Sequence, residues 1–339
     1  MMSNPLLTAG LCLAIAFSFL RISVAEPLLQ SNDKVVLVGN TLIERARLYG
    51  HFESALQIAA GKEVGGLKFR NLGWSADSVF ADSRSYFGTP QEGRDRLARN
   101  IEELKPTVVI LGYGTGEAMS VEQGWTNEAG AAEASGAGLE KSLSLFSDAY
   151  QKKLDAIRNA AAGSIREIVL LSPPPLENLG TLLPDQTANN QRIARFRDAI
   201  RVLAEHNGAR FVDLFAGLGG DDFDGSAAHP ALTDNGVHYT ETGYAALSQA
   251  LLSGLGYDAL PITTADGEAK EKLRAEIVEK NRLFLHQWRP ANETYLFLFR
   301  KHEQGQNAKE IPMFDPLIEA QEKRISQARE FVFSGNAKN

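Results

Sequence analysis

The feature that most constrains the fold of this chain is a regular alternation of short apolar strands with longer helices. Residues 34–38 and 108–111 are short apolar runs of the kind that forms fully buried strands. Alternation of this kind predicts a three-layer α/β/α sandwich with a mainly parallel five-stranded sheet. The other predicted strands are 67–72, 167–171 and 209–214, and the predicted helices are 42–60, 93–104, 139–162, 189–207 and 243–255.

Ligand sites of parallel sheets lie at the carboxyl ends of the strands. The segments that follow the predicted strands begin at Gly39, Gly73, Gly112 and Ser172. We therefore expect the functional residues in these loops. A GxSxG nucleophile elbow and a phosphate-binding loop are both absent from the sequence.

Composition argues against several classes of partner. The net charge is −7 and no block of Lys and Arg stands out, so we expect no nucleic acid partner. The six histidines show none of the close spacings typical of metal ligands, so we predict neither a metal nor a cofactor. The sequence leaves the oligomeric state open.

The first 25 residues read as a secretory signal peptide. Residues 5–20 are uncharged and apolar, and Ser23-Val24-Ala25 is a small-x-small cleavage site. Removal of this segment would also remove Cys12, the single cysteine, and would leave no membrane insertion. Export without disulfides is typical of a bacterial periplasm or cell exterior.

Two segments interrupt the strand-helix rhythm. Residues 126–138 are rich in Ala, Gly and Glu and form either a mobile loop near the site or a solvated surface loop. We divide the rest into a domain at 30–257 and an extension at 258–339 that packs on it. The extension contains helical patterns at 266–288 and near 319–331. Its charged turn at 300–305 either covers the site with His302 and Glu303 or is merely solvated.

Several short motifs stand in a recognisable order along the chain. They are Gly39-Asn40-Thr41, Asn71-Leu72-Gly73-Trp74-Ser75, Trp288-Arg289-Pro290, the run from Arg300 to Gly305, and His238 ahead of the last helix of the sheet domain. In this order along the alternating strands and helices, they resemble the SGNH/GDSL hydrolase superfamily, and more closely a bacterial subgroup common among planctomycetes and their relatives. The resemblance implies a flavodoxin-like sandwich and activity on esters, often carbohydrate acyl esters.

The resemblance implies a role for Thr41 as the nucleophile. The family carries Gly-Asp-Ser where this chain has Gly39-Asn40-Thr41. Threonine keeps the hydroxyl, although its methyl group restricts rotation and crowds the approach. Asn40 and Thr41 are also typical residues at the start of a helix, and capping is compatible with catalysis. Ser75 is a possible alternative hydroxyl.

The oxyanion donors implied by the resemblance are backbone and side-chain N–H groups. Gly73 matches the glycine whose N–H serves this purpose in the family, and it is equally a typical strand-end turn residue. The family's Gly-x-Asn block reads Gly114-Thr115-Gly116 here, so the asparagine donor is missing. Glu117 follows, and its carboxylate would repel an oxyanion. Glu44 and Glu117 could instead form an acid pair, as glycoside hydrolysis needs.

The general base implied by the resemblance is His238. The family places an aspartate three residues before it, where this chain has Asn235. Asparagine can orient an imidazole but cannot offset its positive charge, and it can hold the wrong tautomer. Asp234 lies one residue earlier and could replace the missing carboxylate if the segment is a helical turn.

These residues predict an exported hydrolase that cleaves acyl esters of a carbohydrate or small molecule. Thr41 would attack, His238 would act as base, Asp234 or Asn235 would orient it, and Asn40, Gly73, Gly116 and Glu117 would border the substrate. The alternative is a catalytically impaired protein that binds a glycan in the same cleft.

Overall fold

A computed structural model of the chain contains a parallel sheet whose five strands lie in the order β2-β1-β3-β4-β5. The strands are β1 (Lys34–Gly39), β2 (Lys68–Asn71), β3 (Val108–Gly112), β4 (Glu167–Leu171) and β5 (Arg210–Val212). The predicted sheet is therefore confirmed. The structure describes residues 27–85, 87–121, 138–180, 182–220, 230–257 and 267–335, so the predicted signal peptide and most of the loop at 126–138 lie outside the described residues.

The interior strand β1, which lies between β2 and β3, is buried on both faces of the sheet. Val36 and Val38 belong to one hydrophobic core, whereas Val35 and Leu37 belong to the other. Successive side chains of a strand point to opposite faces, so an uninterrupted apolar run feeds both cores. This is why the sequence shows continuous apolar strands rather than an alternating pattern.

Three long helices cover the first face. They are α3 (Pro90–Leu104), α5 (Gly138–Ala161) and α6 (Thr187–His206). Each contributes a stripe of buried apolar residues, as Leu97 and Ile101 do from α3. Helix α3 begins three residues earlier than predicted because Thr89 and Glu92 form a capping box ahead of it.

The second face carries α1 (Thr41–Tyr49), α2 (His51–Ala59) and α8 (Glu241–Gly254). The sequence predicted one helix over 42–60, and that prediction is wrong because the range holds two helices, α1 and α2. Gly50 adopts a left-handed conformation, φ 68°, and its N–H bonds to the carbonyl of Ala46, which ends α1. A glycine reaches this conformation without steric cost, and the break turns the chain into α2.

The extension is helical and packs on the same side as α1 and α2. Helix α9 (Gly267–Trp288) contacts α1, α2 and β2, and α12 (Phe314–Gly335) lies along α9. Glu53 of α2 and Lys280 of α9 form a buried ion pair of 2.6 Å. Among the described residues, no helix has both the length and the apolar character that crossing a membrane requires. The short helices are α4 (Thr115–Met119), α7 (Leu214–Gly217), α10 (Glu293–Leu296) and α11 (Lys301–Gln304).

Candidate active site

A cavity of about 440 Å³ opens at the carboxyl ends of the strands. Its walls come from the loops after β1, β2, β3 and β4 and from the segment before α8. In this strand order the chain leaves β1 and β3 in opposite directions, so a crevice forms between them, where ligands of such sheets bind. Five predicted site residues line the cavity: Asn40, Thr41, Gly116, Glu117 and His238.

Thr41 is the first residue of α1, and its hydroxyl faces a backbone donor. Asn40 caps the helix, because its side-chain oxygen accepts the N–H of Leu42 at 3.0 Å. The Thr41 Oγ1 atom accepts the N–H of Ala76, also at 3.0 Å. The hydroxyl oxygen is thus held in place while its proton has no acceptor among the described residues.

His238 contacts Asn235 through its Nδ1 atom. The Asn235 side-chain oxygen accepts the N–H groups of Val237 and His238, at 3.0 and 2.8 Å. These two bonds occupy the oxygen and turn the amide nitrogen toward Nδ1 of His238, 3.1 Å away. An amide nitrogen can only donate, so Nδ1 accepts and the neutral ring carries its proton on Nε2. In the described part of the chain, no hydrogen bond joins His238 to Thr41.

Asp234 faces away from this arrangement. Its carboxylate lies 3.3 Å from the guanidinium of Arg45, a cavity residue on α1, and its side chain is half exposed. The segment is also not a helical turn, because Thr233 and Tyr239 form an antiparallel bridge and Asp234 N–H bonds to the carbonyl of His238. Asp234 therefore contacts His238 through the backbone rather than through its carboxylate.

The Gly73 N–H is engaged away from the cavity. It donates to the side-chain oxygen of Asn71 at 2.8 Å, and Gly73 is not among the described residues that line the cavity. The need for glycine here is steric. A Cβ atom on Gly73 would lie 2.2 Å from the backbone nitrogen of Glu44, so only glycine lets this turn lie against α1.

Gly116 and Glu117 differ sharply in their surroundings. A Cβ atom on Gly116 would meet nothing within 4 Å, so open space stands where the family's asparagine would be. Glu117 is buried, and its two oxygens accept the N–H groups of Val79 and Gly114 at 2.9 and 3.0 Å. Burial raises the pKa of Glu117 to about 7 despite these bonds. Its carboxylate caps α4 and holds the backbone at Val79, so both oxygens are engaged by backbone N–H groups although the residue borders the cavity.

The alternative site residues are committed to other contacts. The Ser75 hydroxyl donates to Glu44, and Arg289 donates to the same carboxylate. Glu44 is not among the described cavity residues, so no acid pair with Glu117 is formed there. His302 is 74% exposed and lies 3.7 Å from Glu303, which fits the solvated charged turn.

Three functional features escaped the sequence. The Ala76 N–H contacts Thr41, but a backbone donor leaves no trace in residue type. Glu177 is buried and accepts bonds from Thr233 N–H and Oγ1 at 2.7 and 2.6 Å. These bonds anchor the segment from Thr233 to Tyr239, which contains His238. Asp77 lines the cavity and binds buried Arg84 at 2.6 Å. For Glu177 and Asp77, the signal in the sequence was their position after a strand, because Glu177 follows β4 and Asp77 follows β2.

The sequence profile of the GDSL-like Lipase/Acylhydrolase family matches residues 39–246. Among solved structures, the chain is similar to an acetylxylan esterase from Geobacillus stearothermophilus, with 16% identity over 69% of this chain and 99% of that one and a TM-score of 0.47. It is also similar to an alpha/beta hydrolase enzyme from the metagenome of Lake Arreo, Spain, with 21% identity over 67% and 97% of the two chains and a TM-score of 0.45. None of the curated proteins matches it.

Proposed function

Since the chain belongs to the GDSL-like lipase/acylhydrolase family, we propose that its cavity cleaves acyl esters with Thr41 as nucleophile and His238 as base. One observation carries the proposal. Thr41 and His238 line the same cavity at the carboxyl edge of the sheet, and the Thr41 hydroxyl accepts the Ala76 N–H while its proton has no acceptor among the residues that the structure describes.

The proposed reaction starts from the tautomer of His238 that holds its proton on Nδ1, which requires the ring to give up the contact with the Asn235 amide nitrogen. Thr41 Oγ1 then attacks the acyl carbon, and the hydroxyl proton passes to the vacant Nε2 of His238. The tetrahedral intermediate collapses when His238 returns the proton to the leaving alcohol, which forms an acyl-threonine. Water, deprotonated by the same histidine, then releases the acid. The first turn of α1 offers the N–H of Thr41 as the donor for the oxyanion, because within the described residues it has no hydrogen-bond partner, whereas the N–H of Leu42 bonds to Asn40.

We propose a carbohydrate acyl ester, such as an acetyl ester, as the substrate class. Support comes from the resemblance of the Asn71–Ser75 and Trp288–Pro290 motifs to the bacterial subgroup. The cavity volume of about 440 Å³ suits an acylated sugar unit, because small-molecule sites occupy roughly 300–1,000 Å³. The cavity also mixes polar residues with apolar ones such as Phe80 and Met119, as an acyl group on a polar carrier requires.

The test is an assay of the mature protein on aryl acetates and acetylated polysaccharides. Thr41→Ala and His238→Ala should each abolish turnover, whereas the exposed Thr242→Ala on α8 is the matched control and should leave it unchanged. Wild-type rates no higher than those of both site variants would refute the esterase.

A second candidate is a protein that binds such an ester without turning it over. The orientation of Asn235 favours it, because a proton held on Nε2 makes His238 a hydrogen-bond donor to a ligand rather than a base. Calorimetric binding of acetylated oligosaccharides by a wild-type protein without turnover would select this candidate.

We also propose that the protein is exported and that residues 1–25 are removed. The uncharged apolar run and the Ser23-Val24-Ala25 site support this. Intact-mass measurement of protein recovered from the periplasm or medium should place the first residue at Glu26. A chain recovered only in the cytoplasm and retaining Met1 would refute export.

A further inference from the structure

Arg289, just beyond α9, reaches from the extension into the back of the site. Its guanidinium donates to the Glu44 carboxylate of α1. The same group lies over the ring of Trp74, 4.6 Å from the ring centre, and 5.7 Å from that of Trp288. Arg289 lies outside the segment that the family profile matches.

Glu44 links Arg289 to the loop after β2. Its other carboxylate oxygen accepts the hydroxyl of Ser75, and only 6% of the residue is exposed. Burial by itself would raise the pKa of Glu44, but the hydrogen bonds from Ser75 and Arg289 lower it overall. The carboxylate is therefore charged at neutral pH and holds Ser75 and Arg289 together.

The loop itself, which we call the 73–77 turn, is tightly shaped. Trp74 N–H bonds to the carbonyl of Gly39 and Asp77 N–H to that of Trp74, both at 3.0 Å. Ala76 has a φ of 59°, a left-handed conformation that is unfavourable for a residue with a Cβ atom. Such a conformation persists only when the surroundings hold it. It is this residue whose N–H donates to Thr41 Oγ1.

We propose that the Arg289–Glu44–Ser75 bridge positions the Ala76 N–H on the nucleophile, so that the extension takes part in building the active site. This inference rests on the proposed function of Thr41. A bond from Ala76 occupies one lone pair of Oγ1 and fixes its rotamer, which leaves the other lone pair for attack. Arg289, Glu44 and Ser75 are positioning residues and touch no reacting atom.

The geometry favours arginine over lysine at position 289. A planar guanidinium donates to a carboxylate and stacks on an aromatic ring at once, whereas an ammonium is a compact, strongly hydrated charge. Arg289→Lys should therefore keep the charge on Glu44 but weaken the contact with Trp74. Comparison of this conservative variant with Arg289→Gln separates the effect of losing the positive charge beside Glu44 from the effect of losing the position of the guanidinium.

The experiment compares Arg289→Gln and Arg289→Lys with the wild type. Arg282→Ala is the matched control, because Arg282 lies on α9, the helix that Arg289 directly follows, and its pair with Glu279 is exposed. Ester hydrolysis and amide hydrogen exchange at residues 74–77 are measured on each, with circular dichroism as the check of folding. Should Arg289→Gln fail to fold, Ser75→Ala removes the same bridge at its other end.

We expect kcat to fall roughly 10- to 100-fold in Arg289→Gln with KM unchanged, because misplacement of a reacting group acts on the chemical step. Arg289→Lys should recover part of this loss. Arg282→Ala should keep the wild-type kcat. Protection from exchange at 74–77 should be lost only in Arg289→Gln and Ser75→Ala.

Unchanged exchange at 74–77 in a folded Arg289→Gln or Ser75→Ala variant would overturn the inference. The exchange measurement needs no turnover. An inactive wild type would therefore refute the proposed function alone, and the bridge would still be judged by whether these amides lose protection.

Discussion

The side-chain nitrogen of Asn235 lies 3.1 Å from Nδ1 of His238 and fixes which ring nitrogen holds the proton. Both lone pairs of the Asn235 oxygen are used by the N–H groups of Val237 and His238, so the amide cannot turn round without losing two bonds. A base that accepts at Nε2 needs its proton on Nδ1, where it would face the N–H of Asn235. The contact therefore restrains the reaction at its first proton transfer.

Asn235→Asp should raise ester hydrolysis. The aspartate can keep the two backbone bonds through one oxygen and accept Nδ1–H of His238 through the other. The reverse change in a serine protease costs about 10⁴ in kcat, so a gain of roughly ten- to a hundredfold is a modest expectation. The measurement is kcat/KM on an aryl acetate.

Asp234→Asn is the control for that variant, because it exchanges the same two residue types in the opposite direction one position away, at a carboxylate that contacts Arg45 rather than His238. It should not raise the rate. Equal rates in wild type and Asn235→Asp would mean that the tautomer of His238 does not limit the reaction.

Gly116→Asn should also raise kcat. The position has open space around its Cβ, and the new amide would supply the side-chain donor that the family's Gly-x-Asn block carries. Removal of one such donor typically costs about 10²–10³ in rate, so we expect a gain of up to that size. Gly116→Ala fills the space without an amide and should give no gain. A gain in both variants would point to packing instead of hydrogen bonding.

Lys280→Met should weaken the attachment of the extension. The ammonium is fully buried and bonds to Glu53 and to the carbonyl of Phe69, at 2.6 and 3.0 Å. Removing one partner of a buried ion pair costs about 3–5 kcal/mol because the other charge stays buried alone. Urea unfolding measures the loss. Arg282→Met, which breaks an exposed pair on the same helix, should cost no more than about 1 kcal/mol.

The contribution of Glu117 to stability should fall as pH rises toward neutrality. Burial raises the pKa of Glu117 from 4.5 to about 7, so in this window the folded state binds more protons than the unfolded state. This contribution is complete below pH 4.5 and is lost as pH passes about 7; it amounts to at most about 3 kcal/mol, at roughly 1.4 kcal/mol per pKa unit. Burial raises the pKa of Glu53 to about 7 as well, so it acts in the same direction.

Glu117→Gln should reduce the slope of the unfolding free energy between about pH 5 and about pH 7. Urea unfolding at several pH values measures it. Glu140→Gln is the control, since 77% of that side chain is exposed, and it should keep the wild-type slope. An unchanged slope in Glu117→Gln would contradict the assignment of the dependence to this residue.

The fold was predictable because its signals are local. Buried strands such as Val108–Gly112 need continuous apolar residues, and the helices between them need amphipathic ones. The break at Gly50 was missed because glycine is tolerated inside helices, and because the close approach of α9, whose Val278 would lie 3.1 Å from a Cβ atom at this position, cannot be read from the local sequence. The helix prediction therefore failed where a distant part of the chain intervenes.

The site was predictable only in outline. Motif order located Thr41 and His238, which line one cavity. The partner of Asp234 could not be read from the sequence, because Arg45 meets it across 189 residues. The bond from Ala76 to Thr41 could not be read from the sequence either, because every residue except proline carries the same backbone N–H. What decides the chemistry here is the direction of individual hydrogen bonds, which residue types do not specify.

Glu44 and Arg289 stand 245 residues apart, which has a consequence for the newly made protein. At about 5–20 residues per second, a ribosome needs roughly 12–50 s to progress from the first to the second. In the last part of that interval, after β5 ends at Val212, all five strands and the proposed nucleophile Thr41 have been made while Glu44 still lacks the guanidinium of Arg289. A buried carboxylate without its ionic partner is unfavourable. We expect the nascent hydrolase domain to stay open around Glu44 until the extension arrives, so the order of synthesis makes the active site one of the last parts to close.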